Sequence, residues 1–498
     1  MLTHPFSRAR AVAALSVLYL VPLTWPQAAG PSPGAALGST QTPVQTPAPR
    51  VGSFSSTLLE QLEAIKAAAL SDGYTYRQLA YLTENIGPRP SGSPAGKMAV
   101  EYVAEQMRRL GLEVRLEEVK VPHWVRGIET GELMEYPGSP QGVRRKVVLT
   151  ALGGSTSTGA DGITADLLVV NSFNQLKGFG RERVSGKIVL FNKEFDKQKS
   201  AAGLAFNAYR EVVEYREDGP KAAAALGAVG ALVRSIGSAD YRLPHTGDSE
   251  PAGIPAAAVS DEDAELIADL AQQGPVRLHL TLTPQKLPDE TSYNVIGDVK
   301  GNKHPEQVVI VSAHLDSWDL GSGAIDDAAG VAITLETAHL LQLLNLQPSC
   351  TLRVIAWTDE ENDDSGSNQY VKDYSAEFPH YIAAIESDAG AAHPLGFAMN
   401  MSKAGIDALR PLETVLSSIG ATIFEQTTRA PGTTDVAPMA EKGVPVIGIL
   451  QDQCHYYDYH HSAADTLDKV VPAELGQNAA VMAIIAFALA EMPSPPPR

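Results

Sequence analysis

The stretch from Val311 to Gly330, VSAHLDSWDLGSGAIDDAAG, sets one histidine and four aspartates among small and apolar residues. Four later segments share its character: TDEENDD (Thr358–Asp364), ESDAG (Glu386–Gly390), GTTD (Gly432–Asp435) and CHYYDYHHSAADT (Cys454–Thr466). Carboxylates this dense repel one another and resist desolvation. A divalent cation removes both costs, and mixed carboxylate–imidazole donors are what zinc-like ions take. A solvated acidic face is the competing reading, and TDEENDD alone reads that way. Repetition of the pattern behind successive apolar strands or glycine turns favours convergence on one site.

Those strands and helices alternate. Apolar runs predict strands over 308–313, 351–357, 381–386 and 444–450, and helical periodicity covers 328–344, 367–374, 406–418 and 472–490. The fold class expected is α/β, with a mostly parallel central sheet and helices on both faces. Such sheets gather their sites at the carboxyl ends of strands, where these polar segments fall. Upstream, helices are expected over 56–70 and 95–110 and a strand over 113–119, with the turn IGPRPSGS (Ile86–Ser93) between the helices. Residues 124–286 change texture: short apolar strands set off by Gly and Pro, without an acid–histidine cluster, predict an inserted β-rich module. The site-bearing domain is thus read as 53–123 plus 287–492.

The 498 residues are 44% apolar and carry 39 Lys+Arg against 58 Asp+Glu, a formal charge of −19. That surplus disfavours nucleic acid and anionic membranes as partners. Arg8 and Arg10, an apolar stretch from Ala11 to Leu23 and the small residues around Ala28 and Ala29 read as a signal peptide over 1–29, and hence as a secreted or periplasmic protein. The apolar core is short for a membrane anchor, and no later transmembrane run is read. Residues 30–52 read as a Pro/Thr/Ala-rich disordered linker. The placement of Cys350 and Cys454 does not show that they pair.

HLDSWDLGSGAIDDAAG, WTDEEN, ESDAG and YHHSAADT, with IGPRPSGS and LPHTG (Leu243–Gly247), together resemble the M28 family of di-zinc peptidases, and within it the carboxypeptidase Q branch. The likeness runs over about residues 55 to 490 and implies a protease-associated domain for the insert. It implies two Zn2+ per chain, one held by His314 and Asp388, the other by Glu361 and His461, with Asp326 bridging and Glu360 as general base. It also implies a cis bond between Asp326 and Asp327, and a homodimer. As an alternative, Glu360–Glu361 reads as an acidic pair at a helix N-terminus.

Asp316 is placed to accept the free N–H of His314, or else is an exposed strand-end aspartate. Asp465 reads equally as a support for the His461 loop or as a cap of the next turn. His460 is either a donor to substrate or to the reaction's oxyanion, or faces away as the neighbour of His461. Asp435 is a weaker substrate-side candidate, and Asp319 and Asp327 have no assigned role. His393, His455, Tyr456, Tyr457 and Tyr459 read as packing or pocket wall. Asp359 and the NDD of TDEENDD depart from the family's smaller turn. The activity expected is hydrolysis of dipeptides or short peptides from one end. An aminopeptidase on the same scaffold is the alternative, with a single-zinc cyclase or a metal-free binding scaffold further off. No basic residue stands out as a clamp for a substrate carboxylate, Arg429 being the one considered.

Overall fold

The structure, a computed structural model, describes residues 54–498, so the expected signal peptide and linker lie outside the described residues. One sheet comprises β1 (Glu113–Val125), β2 (Gln285–Val299), β3 (His304–His314), β4 (Cys350–Trp357), β5 (Tyr381–Glu386), β6 (Pro394–Asn400), β7 (Ile423–Gln426) and β8 (Val446–Gln451). Their order across the sheet is β1-β2-β4-β3-β5-β8-β6-β7. The central β4-β3-β5-β8 run parallel. β1 and β2 form an antiparallel ribbon at one side, and β6 joins β8 antiparallel at the other. The sheet is therefore mixed, with the expected parallel arrangement confined mainly to its centre. The half-exposed ribbon strands, such as QKLPDETSYNVIGDV, carry little of the apolar run that marks a buried strand.

Successive strand residues face opposite sides, and β3 is buried on both. Val309, Val311 and Ala313 join the core formed with α1 (Ser56–Ser71), α4 (Ala329–Leu343) and α6 (Pro472–Glu491). Val308 and Ile310 face a second core with Tyr370 of α5 (Ser365–Tyr374), Phe378 and Met439. α2 (Tyr74–Ala80) and α3 (Pro94–Arg109) complete the first face. α6 is long and apolar enough to cross a membrane by length and composition, but most of it is buried inside the protein, where a helix apolar on all sides belongs. The helix expected over 406–418 is broken into Lys403–Leu409, a 3-10 turn at Arg410–Leu412 and Glu413–Leu416. Pro411, without an N–H, interrupts the hydrogen-bond ladder there.

The segment between β1 and β2 folds as a second eight-stranded mixed sheet. Its centre, Ile163–Val170, Ile188–Phe191, Gly230–Arg234 and Ala256–Val259, is parallel. Helices Phe173–Val184 and Asp261–Gln273 pack against it, so the segment is α/β and not simply β-rich. The second helix has a readable start. Ser260 accepts the N–H of Asp263, and three acids occupy the first turn. Both cysteines are free.

Candidate metal centre

The four parallel strands are neighbours, so the loops leaving their carboxyl ends open onto one place. β3 ends on His314, β4 leads into Glu360–Glu361, β5 into Asp388, and the loop after β8 brings His461. Asp326 lies among them. Its Oδ1 is 3.0 Å from His314 Nε2, and its Oδ2 is 3.3 Å from His461 Nε2. Asp388 Oδ1 stands 3.5 Å from His314 Nε2, and Glu361 Oε2 stands 2.9 Å from His461 Nε2. Glu360 is set back, 4.0 Å from His314. The peptide between Asp326 and Asp327 is cis.

These side chains form overlapping groups whose donor atoms could hold a metal ion. Burial raises the carboxyls of Glu360, Glu361 and Asp388. Asp326 moves the other way: burial opposes its charge, but the hydrogen bond with His314 and the nearby His461 ring hold it well below the usual carboxylate range. His461 is pulled down by burial and raised further by Glu361, ending at about 9. Such a cluster is short of positive charge. Asp326 Oδ2 and Glu361 Oε1 are buried without a hydrogen-bond partner, as oxygens reserved for a cation would be. The donor set fits zinc-type ions.

The surrounding groups hold the donors in place. His314 Nδ1 donates to the backbone carbonyl of Asp316 at 3.1 Å, not to its carboxylate as expected. The short step from residue 314 to 316 brings the carbonyl nearer than the side chain, which is 3.9 Å away. The Asp316 carboxylate accepts instead the backbone N–H groups of Glu360 and Glu361 and the Ser91 hydroxyl. Arg89, fully buried in IGPRPSGS, donates to the carbonyls of Leu315, Ser322 and Gly323, pinning the loop that carries Asp316 and Asp319. Gly323 has φ 59°, and a Cβ there would collide with Ser317 and Arg89. Asp465 reaches across to the N–H groups of Ala324, Ile325 and Asp326, so of its two expected roles it takes neither: it holds the Asp326 segment. Asp327 accepts the N–H groups of His314 and Gly330.

The inserted segment supports the other side. His461 Nδ1 donates to the carbonyl of Thr246, and Thr246 N–H donates back to the His461 carbonyl at 2.8 Å. His245 Nδ1 donates to the His460 carbonyl at 2.6 Å. This is the LPHTG motif. His461 itself sits at φ 57°, uncommon for a residue with a side chain. Asp319, unassigned from sequence, makes a two-pronged ion pair with Arg126 at the start of the insert. In TDEENDD, Asp359 and Asp364 take positive φ, a conformation that aspartate tolerates better than most residues with a side chain.

A cleft of about 490 Å³ opens over the donors. Glu360, Asp326 and Asp388 lie at its base, and His460, Tyr456 and Tyr457 form a wall. Thr433, Thr434 and Arg429 border it from GTTD and the residues before it. Asp435 does not line the cleft; it is fully buried beside Glu386, and burial followed by the Glu386 charge raises its proton affinity, while burial followed by the Asp388 charge pushes Glu386 up to about 8. His460 stacks on His461 with ring centroids 3.6 Å apart, and its Nε2 is 3.6 Å from Asp326 Oδ2. Of the remaining aromatic candidates, His393 pairs with Gln477 and exposed His455 with Asp458. The insert contributes Tyr209, Arg210, Arg216 and Asp248 to the lining. Nothing local marks those four as functional; only the tertiary approach of the two sheets does.

The sequence profile of peptidase family M28 matches residues 294–486. Bovine (Bos taurus) carboxypeptidase Q is 36% identical over 431 residues, covering 85% of this chain and 87% of that protein. The chain belongs to peptidase family M28. The crystal structure of a peptidase M28 precursor from Shewanella amazonensis SB2B superposes with a TM-score of 0.82 at 34% identity, covering 89% of this chain and 98% of that one. Aminopeptidase YwaD of Bacillus subtilis (strain 168) is 28% identical over 60% of this chain and 57% of its own length. This M28 peptidase is thus a homologue of carboxypeptidase Q and of aminopeptidases, and its substrates are peptides.

Proposed function

We propose that this M28 peptidase is an exported di-zinc exopeptidase that hydrolyses dipeptides or short peptides with a free C-terminus. The observation that carries the reading is Asp326, whose two oxygens face His314 on one side and His461 on the other. In this reading His314 and Asp388 would hold one ion and Glu361 and His461 the second, with Asp326 available to both. Bound zinc supplies Lewis acidity and activates water.

Glu360 does the proton work. Its backbone is fixed by Asp316, while its carboxylate lies at the base of the cleft outside the closest donor pairs. It takes a proton from the attacking water and gives it to the leaving amine. Burial makes it hold that proton more firmly than an exposed glutamate would. His460, pushed by burial well below the usual imidazole range, is neutral and offers an N–H to the oxyanion. We assign residues 124–286 to a protease-associated domain that closes the cleft, between two parts of the catalytic domain at 53–123 and 287–492. Secretion or periplasmic residence, read from the signal-like residues 1–29, and the homodimer implied by the family resemblance complete the proposal.

One observation favours the aminopeptidase reading: Glu217, Asp218, Asp248 and Glu250 border the cleft and would attract a substrate amine, whereas Arg210 and Arg429 would attract a carboxylate. Hydrolysis of N-blocked and C-blocked dipeptides decides between them. Cleavage of N-blocked but not C-blocked substrates is expected; the reverse selects the aminopeptidase.

A further inference from the structure

Glu336 and His339 lie three residues apart on α4, on one face of the helix, about 10 Å along it from its first residue at Ala329. Opposite them is Asp72, where the chain leaves α1 and turns into α2. His339 Nε2 is 2.8 Å from Asp72 Oδ2, and one oxygen of Glu336 lies within 4.8 Å of donor atoms on both. None of the three lines the peptidase cleft.

The buried polar atoms around this group lack partners. Glu336 is fully buried; the hydroxyl and backbone N–H of Thr75 approach it, but neither is aligned as a hydrogen bond, and the Tyr74 hydroxyl and Thr75 Oγ1 are buried and unpartnered as well. An unpaired buried carboxyl is expensive. Burial, followed by the Asp72 charge, pushes Glu336 up to about 8. The ring of Tyr74 stacks on His339 with centroids 4.1 Å apart, fixing the imidazole towards Asp72. Asp72 and His339 are only partly buried, which leaves a path from solvent. Arg77 approaches Asp72 Oδ1 at 3.5 Å from the exposed side, while Oδ2 faces His339.

We propose that Asp72, Glu336 and His339 form a further divalent-cation site, separate from the cleft, that ties the turn between α1 and α2 to α4. Two carboxylates and an imidazole suit zinc or a first-row transition ion better than calcium or magnesium. The ion would ionise Glu336 and give its orphaned oxygens a partner. Because α4 begins beside Asp327, the site would also brace the helix that follows the Asp326 loop.

Equilibrium dialysis of the full chain against micromolar zinc, with elemental analysis of zinc per chain, tests this. Glu336→Gln and the half-buried His339→Gln should each bind one ion fewer than the wild-type chain, with unchanged far-ultraviolet circular dichroism. Equal stoichiometry in wild type and folded variants overturns the site. A zinc-edge anomalous map of wild-type crystals supplies a readout without substitution: a peak among the three side chains supports the site, and its absence at saturating zinc overturns it. Asp326→Ala measured alongside reports on the cleft, so failure of one assignment is distinguishable from failure of the other.

Discussion

His314 and His461 flank the same carboxylate and are held in opposite ways. His314 is the last residue of a central strand and is fully buried, and the groups supporting it, the Asp316 carbonyl and the Asp327 carboxylate, come from its own segment. His461 sits in a loop at positive φ, and its support comes from Thr246 and His245, 215 residues away in the inserted segment. In both cases the Nδ1 faces a carbonyl, which can only accept, so that nitrogen carries the proton and Nε2 is left for the donor cluster. The same tautomer is therefore set locally on one side and by a second folded layer on the other.

The contrast has consequences of graded size. Asp326→Ala abolishes it by removing the group common to both sides; zinc content should fall on both and dipeptide hydrolysis should become unmeasurable. Retention of full zinc content in that variant would mean the two histidines do not share Asp326. His245→Phe acts on one side only. It frees the His460 carbonyl while filling the buried space, and zinc affinity or turnover should fall roughly tenfold, the low end for groups that orient a donor. Stripping with a chelator should then become biphasic, one ion leaving early; uniform release would show that the insert does not hold the His461 side.

The smallest effect concerns the insert's own wall of the cleft. Burial pushes Asp248 up to about 7 from its ordinary 3.8. Between those values the folded protein holds a proton that the unfolded chain has released, so this group's contribution to stability falls as pH rises through the window. Asp248→Asn should flatten that part of the profile when thermal midpoints are compared between about pH 5 and pH 8. Parallel profiles for the two proteins would place Asp248 in water rather than against the wall.

The same contrast explains what could be read in the sequence. β3, β4 and β5 are continuous apolar runs closed by acids or histidine, and their expected positions lie within a few residues of those observed. The donors therefore stand out along the chain, as does the small-residue turn at Gly321–Gly323. What could not be read depends on approach between distant segments. Arg89 looked like part of a turn, yet it secures three carbonyls more than 200 residues on. Asp316 reads as a support for His314, but its carboxylate serves Glu360, Glu361 and Ser91, because a backbone carbonyl, invisible in sequence, competes for the imidazole. Asp435 carries the same residue type as the donors, but it is fully buried beside Glu386 and does not line the cleft. The antiparallel ribbon β1–β2 was obscured because the insert separates two strands that pair along their length.

In the proposed mechanism Glu360 carries protons and does not belong to the cation-holding set. Glu360→Gln keeps the shape of the side chain and removes its basicity. Zinc per chain and dipeptide turnover measured on the same preparation test the claim directly. Unchanged zinc content with turnover lower by roughly 10²–10⁴-fold is the predicted result. Turnover at the wild-type rate, or a loss of zinc that parallels the loss of activity, would contradict it.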